Sequence, residues 1–191
     1  MQWFLILLAY IVGAIPSGYW FGRYVMGIDI TCYGSGNIGA SNVARVLGKR
    51  YFLLIFCADA LKAYGMMIFA GYYLDPQQST ALYPIGAALL IGNAFSPFLR
   101  FKGGKGVATA IGIAAYYIPF TMLLFTLVCW LIIVAITRHP FVASLAWIAL
   151  AMLCDYYYQS AAHAPLFVCI ALWLVMRHTT NIYRLFKKDD S

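Results

Sequence analysis

The sequence predicts an all-α integral membrane protein, a compact bundle of about seven transmembrane helices with its N-terminus outside and its C-terminus cytoplasmic. Two observations carry the fold class. Of 191 residues, 64% are hydrophobic and only 10% are charged, against about a quarter charged in a soluble domain, and mean hydropathy is +0.81. The apolar residues also fall in runs long enough to cross hydrocarbon, which takes about 20 helical residues. A chain of this length is expected to form a single domain, 1–191, with no room for a sizeable second one.

The first run, about 3–22, has no basic n-region and leads into "PSGYWFGRY" instead of a small-residue cleavage site, so it is read as a retained first helix. Runs at about 52–74 and 81–99 supply the second and third. The run from Val107 to Ile136 is too long for one span, and Pro119 inside it removes a backbone donor, which predicts a break. The stretch from Phe141 to Met176 is interrupted by "DYYYQSAAHAP", read as a polar turn. Both cuts give seven segments, some shorter than a full crossing.

Basic residues decide between seven spans and five. With seven, Arg23, Arg45, Lys49, Arg50, Arg100, Lys102, Lys105, Arg138, Arg177, Arg184, Lys187 and Lys188 all fall on the cytoplasmic side. The outer turns near 75–80, 117–119 and 158–163 then hold no Lys or Arg, whereas five spans would strand Arg138 outside. Trp3, Tyr72, Tyr73, Tyr116, Tyr117 and Tyr156 to Tyr158, close to run ends, suit an interfacial belt.

The net charge of +7 is shared among these loops and forms no continuous stripe, which argues against a nucleic-acid partner and for anionic lipid or substrate. Cys32, Cys57, Cys129, Cys154 and Cys169 contain no CxxC pair and read as small hydrophobes, with no metal site implied.

Polar chemistry is concentrated in three segments. The first, "YGSGNIGASNVARVLGKR" from Tyr33 to Arg50, contains a GxGxxG match at Gly34, Gly36 and Gly39, but no strand precedes it, which argues against a dinucleotide fold. Its small residues let backbone amides turn toward a ligand, and a helix is expected to begin at "SNVARVLG" with Ser41 or Asn42 as its cap. Ser41 and Arg45 share a face of that helix. The second, "RFKGGKGVATA" from Arg100, is not a Walker A loop, because Leu99 and Gly106 stand where Gly and Ser or Thr are needed. Gly103, Gly104 and Gly106 nevertheless precede a helix starting near Val107, whose positive end lies beside Lys105 and makes an anion site. The third, "RHTTNIYRL", continues the last run and places His178, Asn181 and Arg184 at successive spacings of three on one helix face.

Inside the bilayer, Asp59 and Lys62 are three apart and are expected to neutralise each other. Asn93, with Ser96 and Pro97, approaches the glycine loop, where its amide is expected to satisfy loop backbone. The chain contains no Glu, and a base would have to come from Asp29, Asp59 or His178. That scarcity favours chemistry carried by anion binding and positioning, acting on a phosphorylated substrate and a membrane-embedded acyl donor.

Together, "GAIPSGYWFG", "GIDI" with "GSGNIGASNVARVLG", "FSPFLRFKGGKGVATAIG" and "HTTNIYRL" resemble the bacterial acyl-phosphate-dependent glycerol-3-phosphate 1-acyltransferase family over nearly the whole chain. The resemblance implies a seven-helix inner-membrane enzyme with a cytoplasmic active site. It would move a fatty acyl group from acyl phosphate to the 1-hydroxyl of glycerol-3-phosphate in phospholipid synthesis, releasing lysophosphatidic acid and phosphate. No metal, nucleotide or other cofactor is implied, and functional coupling to an acyl-phosphate-forming enzyme is compatible with it. Carried onto matching positions, Ser35, Asn37, Gly39, Asn42 and Arg45 form one wall of a phosphate site. Lys105 with Gly103, Gly104 and Gly106 forms another, His178, Asn181 and Arg184 close it, and Ser144 adds a binding residue.

The chain departs from the family pattern at Thr31 in place of an Arg, Ala63 in place of a Gly, Asn93 in place of a His and Phe141 near a usual Ser. Lys188 and Asp190 replace a C-terminal Gly and Glu. These departures keep a second reading open, a non-catalytic membrane binding or regulatory protein that retains the phosphate pocket. A small transporter would need a polar path across the bilayer, and Asp59 with Lys62 is a thin one.

Overall fold

A computed structural model of the chain describes residues 1–74, 79–159 and 161–187. Among them every regular element is helical, and the chain divides into two compact units, Met1–Tyr116 and Tyr117–Ser191.

In the first unit, α1 (Gln2–Ala14) does not run through the whole first apolar stretch as expected; it ends before Pro16, and α2 (Ser17–Trp20) begins after it, continuing as one π turn over Phe21–Val25. The reason is local: proline has no N–H to donate and its ring pushes Ile15 out of helical geometry, to φ −58° and ψ 113°. A short 3₁₀ turn (Ile30–Cys32) and α3 (Ala40–Leu47) precede α4 (Tyr51–Tyr73). After a 3₁₀ turn at Ser79–Leu82 come α5 (Tyr83–Ala94), a 3₁₀ turn at Pro97–Leu99 and α6 (Val107–Tyr117).

Small residues draw these helices together, as membrane helices require when hydrocarbon gives no hydrophobic drive between them. A Cβ at Gly13 would collide with the Leu89 carbonyl, one at Gly92 with the Tyr10 carbonyl, and one at Gly112 with the Ala60 carbonyl. These contacts join α1 to α5 and α6 to α4. A separate apolar cluster of Ile30, Ile38, Val43 and Ile55, with Tyr19, Phe21 and Leu99 packed against it, lies under the polar loops.

The second unit is α7 (Phe120–Thr137), α8 (Pro140–Gln159) and α9 (Ala164–Lys187). Pro119 caps α7, so the predicted break within the long run is present. The predicted turn "DYYYQSAAHAP" is shorter than its composition suggests: α8 carries Asp155 to Gln159 as helix and α9 already begins at Ala164. Asp155 allows this by fastening the chain reversal, its carboxylate accepting from the His163 amide at 3.1 Å and its carbonyl from the Ala161 amide at 3.2 Å. Trp147 on α8 and Phe167 on α9 are fully buried in this unit.

Among the described residues, six helical stretches are long and apolar enough to cross a membrane: Gln2–Val25, Tyr51–Tyr73, Thr80–Leu99, Phe120–Thr137, Pro140–Tyr158 and Ala164–Tyr183. The seventh segment, Val107–Tyr117, is apolar but has only 11 residues, about 16 Å of helix. The protein is thus an integral membrane protein, with six candidate spans and one short apolar helix among its described residues. The outer turn expected near 75–80 falls largely outside the described residues, as do Lys188 and Asp190.

Candidate active site

The first polar segment is held open by its own side chains. The N-cap position of α3 is Gly39, not Ser41 or Asn42, and no side chain caps it. Asn42 faces back into the loop instead: its Oδ1 accepts from the Ser35 amide at 2.8 Å, and its Nδ2 donates to the carbonyls of Tyr33 at 3.0 Å and Ile30 at 3.3 Å. The side chain is 2% exposed. A buried amide satisfied by three backbone groups outweighs a single capping bond, which is why the expected cap does not form. Gly34 turns with φ +60°, and a Cβ there would strike Asn42 Oδ1, so position 34 needs glycine twice over. Asn37 Oδ1 accepts from the Gly39 amide at 2.9 Å, and Asp29 accepts from the Thr31 amide and hydroxyl at 3.0 and 2.6 Å. Those bonds to Thr31, with Arg23 adding a smaller effect, hold the Asp29 carboxyl below its usual range. Ser35, Ser41 and Arg45 remain exposed above this framework.

The second segment is fastened through backbone. The Gly104 amide donates to the Asn93 carbonyl at 2.9 Å and the Phe101 amide to the Ser96 carbonyl at 2.8 Å. The expectation that the Asn93 side chain satisfies the loop is therefore corrected: its main-chain oxygen does so, while its Oδ1 is buried without a hydrogen-bond partner. Gly103 lies so close that a Cβ would overlap the Asn93 carbonyl oxygen. Arg100 and Phe101 both adopt left-handed backbone, φ 51° and 61°, and Gly106 follows at φ 86°. The chain then enters α6, with the Ala110 amide bonded to the Gly106 carbonyl at 2.7 Å. Lys105 thus stands two residues before a helix whose first amides have no intrahelical acceptor.

Both segments rest on one base. Leu99, just before the glycine loop, packs on the cluster that contains Ile38 and Val43. Trp20 meets Phe98 edge to face at 5.7 Å, and Ser96 Oγ donates to the Ala14 carbonyl at 2.6 Å. Composition alone did not single out this serine as a fastener. Asp59 and Lys62 form the expected ion pair at 2.6 Å, and both also grip the helix break: Ser17 Oγ donates to Asp59 Oδ1 at 2.9 Å, and Lys62 Nζ to the Ile15 carbonyl at 2.6 Å. The "PSG" triplet was the signal for this contact, since a proline beside two small residues marks a break that another group must satisfy.

The remaining predicted residues belong to the second unit. Ser144 is 2% exposed, its hydroxyl donating to the Pro140 carbonyl at 2.8 Å and accepting from Trp130 Nε1 at 3.3 Å. That clasp ties α7 to α8. His178 is buried on α9, with Nδ1 2.8 Å from the Leu174 carbonyl and its ring 6.3 Å from that of Phe141. A carbonyl only accepts, so Nδ1 is the donor in this contact. α9 continues through His178, Asn181 and Arg184 as helix, as the spacing predicts; the Arg184 side chain is outside the described residues. Among the described residues no group of three or more His, Cys or Asp side chains is arranged to hold a metal.

Taken together, these features define a class: an integral membrane protein with glycine-framed cations set at the ends of short helices. The family profile described as glycerol-3-phosphate acyltransferase matches residues 3–188. The chain belongs to the glycerol-3-phosphate acyltransferase family. Among its relatives, the glycerol-3-phosphate acyltransferase of Fusobacterium nucleatum is 34% identical over 187 residues, 97% of this chain and 95% of the relative. That of Anaeromyxobacter dehalogenans is 36% identical over 190 residues, 97% and 94% of the two chains. Among solved structures, PlsY, described as an integral membrane glycerol 3-phosphate acyltransferase, is similar in its glycerol 3-phosphate form, with TM-score 0.87, 33% identity and coverage of 98% of this chain and 92% of that one. A lysophosphatidic acid form of PlsY superposes with the same score.

Proposed function

We propose that this protein transfers a fatty acyl group from acyl phosphate to the 1-hydroxyl of glycerol 3-phosphate, yielding lysophosphatidic acid and inorganic phosphate. The supporting observation is the pairing, on one apolar base, of two loops with different phosphate-binding means: exposed Arg45 and Ser35 on one, and Lys105 at the α6 N-terminus on the other. Family membership supports the acceptor.

In this reading Arg45 and Lys105 hold the phosphate of glycerol 3-phosphate by charge-assisted hydrogen bonds. Asn37 and Asn42 keep the first loop in shape, and Gly39 starts its helix. Gly103, Gly104 and Gly106 admit the donor's phosphate close to backbone amides. His178, Asn181 and Arg184 of α9 and Ser144 of α8 enter the proposal as phosphate-binding candidates on the family resemblance alone. The glycerol oxygen attacks the acyl carbon, the bond from that carbon to the phosphate oxygen breaks, and the hydroxyl proton leaves with the released phosphate. Asp59 is committed to Ser17 and Lys62, which favours the donor's phosphate as proton acceptor. The basic loops support a cytoplasmic site in an inner membrane, N-terminus outside. Supply of acyl phosphate by a separate enzyme completes the proposal.

The test is production of lysophosphatidic acid by purified protein given glycerol 3-phosphate with acyl phosphate, acyl-CoA or acyl-carrier protein. Activity with acyl phosphate alone is expected, and use of acyl-CoA would overturn the donor. Lys105→Ala and Arg45→Ala should each abolish product; wild-type turnover in both would sink the assignment. Binding of glycerol 3-phosphate without turnover would identify a non-catalytic member.

A further inference from the structure

Two charges inside the first unit are placed with respect to helix ends. α1 stops before Pro16, leaving the Ile15 carbonyl at its negative end, and Lys62 Nζ donates to it at 2.6 Å. α2 begins at Ser17, and Asp59 sits at its positive end, accepting from Ser17 Oγ at 2.9 Å and from Lys62 at 2.6 Å. Each of the two charged side chains is only 11% exposed. Ionised groups within a span are costly, and an apolar pair of similar volume could fill the same space. What hydrocarbon cannot do is satisfy both ends of a broken helix at once and fix the direction in which the chain resumes.

The direction has a target. Gly18 comes so close to Ile38 that a Cβ would overlap its carbonyl oxygen. Ile38 lies between Asn37 and Gly39, and with Val43 of α3 it belongs to the cluster against which Tyr19 and Phe21 pack. Any swing of α2 about Pro16 is therefore passed by contact to the segment carrying Ser35 and Arg45.

We propose that Lys62, Asp59 and Ser17 form a positioning clasp for the glycerol 3-phosphate site: by fixing the turn at Pro16, they set where the Ser35 to Arg45 segment stands. None of the three touches substrate in this proposal, which rests on the reading given under Proposed function.

The experiment compares purified full-length wild type with Asp59→Asn, Lys62→Met and Ser17→Ala, reading the KM of each substrate and peptide-resolved amide exchange. Ser17→Ala removes one hydrogen bond and leaves the ion pair, so it keeps the test alive if the charge variants fail to fold. Asp59→Asn and Lys62→Met should raise the KM for glycerol 3-phosphate by roughly tenfold, as a misplaced binding wall does, with Ser17→Ala smaller and the KM for acyl phosphate unchanged in all. Exchange should quicken over residues 33–47 and stay constant in α7 and α8. Wild-type KM values with unchanged exchange at 33–47 overturn the clasp. So does an equal loss for both substrates with faster exchange throughout residues 1–116, the mark of a merely structural pair. An inactive wild type defeats the functional reading alone, and exchange at 33–47 then decides the clasp.

Discussion

The two glycine-rich loops of the first unit solve the same problem by opposite means. In Tyr33 to Gly39, side chains do the fastening: Asn42 and Asn37 replace the backbone partners that a loop lacks, and left-handed glycines make the turns. In Arg100 to Gly106, the carbonyls of Asn93 and Ser96, beyond the reach of the α5 helical ladder, accept the loop's amides, and glycine is needed for closeness. The first loop is thus vulnerable to loss of polar atoms and the second to gain of apolar ones. The difference follows from position. The second loop passes directly over the end of a buried helix, 56% of whose spanning window is enclosed, whereas the first has only a small apolar cluster beneath it.

Gly103→Ala is the harshest way to break the comparison. Its new Cβ meets backbone that cannot move without disturbing α5, so turnover should fall more than about 100-fold and stability by on the order of 3 kcal/mol, read by initial rates and thermal unfolding. Asn42→Ala comes next. It strips a buried amide from the Ser35 amide and the Tyr33 and Ile30 carbonyls, which should cost on the order of 2 kcal/mol and raise the KM for glycerol 3-phosphate before that for the acyl donor. Gly104→Ala should be milder than Gly103→Ala, because its Cβ meets the Asn93 side-chain oxygen at 2.9 Å. The double variant with Asn93→Ala should recover most of the lost activity, and failure to recover would place the constraint in backbone.

The smallest effect is electrostatic. The Asp29 carboxyl is held below its usual range by Thr31, so its contribution to loop order is present above the unfolded value and fades as pH falls through the folded one. In wild type, exchange at residues 29–35 should quicken below pH about 4. Asp29→Asn should remove that acid dependence and leave neutral-pH behaviour nearly unchanged. The same acid step persisting in the variant would assign it elsewhere.

Much of this molecule is legible in the chain itself. The charge deficit and long apolar runs decide that it lies in a membrane, because an unpaired charge in hydrocarbon costs more than any local contact returns. Pro119 marks the break before α7 for the same backbone reason wherever it occurs. The glycines and Lys105 mark the start of α6, where amides stand beside a cation, the arrangement from which the proposed anion site is read. The three-residue spacing of Asp59 and Lys62 predicts their pairing. What tertiary structure alone decides is which polar atoms face one another across the fold. Asn42 looks like a helix cap in sequence but turns inward to three backbone groups that local spacing cannot bring together. Asn93 contributes its carbonyl, not its amide. The Asp59 and Lys62 pair gains its meaning only from meeting a break more than 40 residues earlier in the chain. Spacing along one helix is written in residue numbers, whereas contacts between helices are set by packing, and it is packing that determined these.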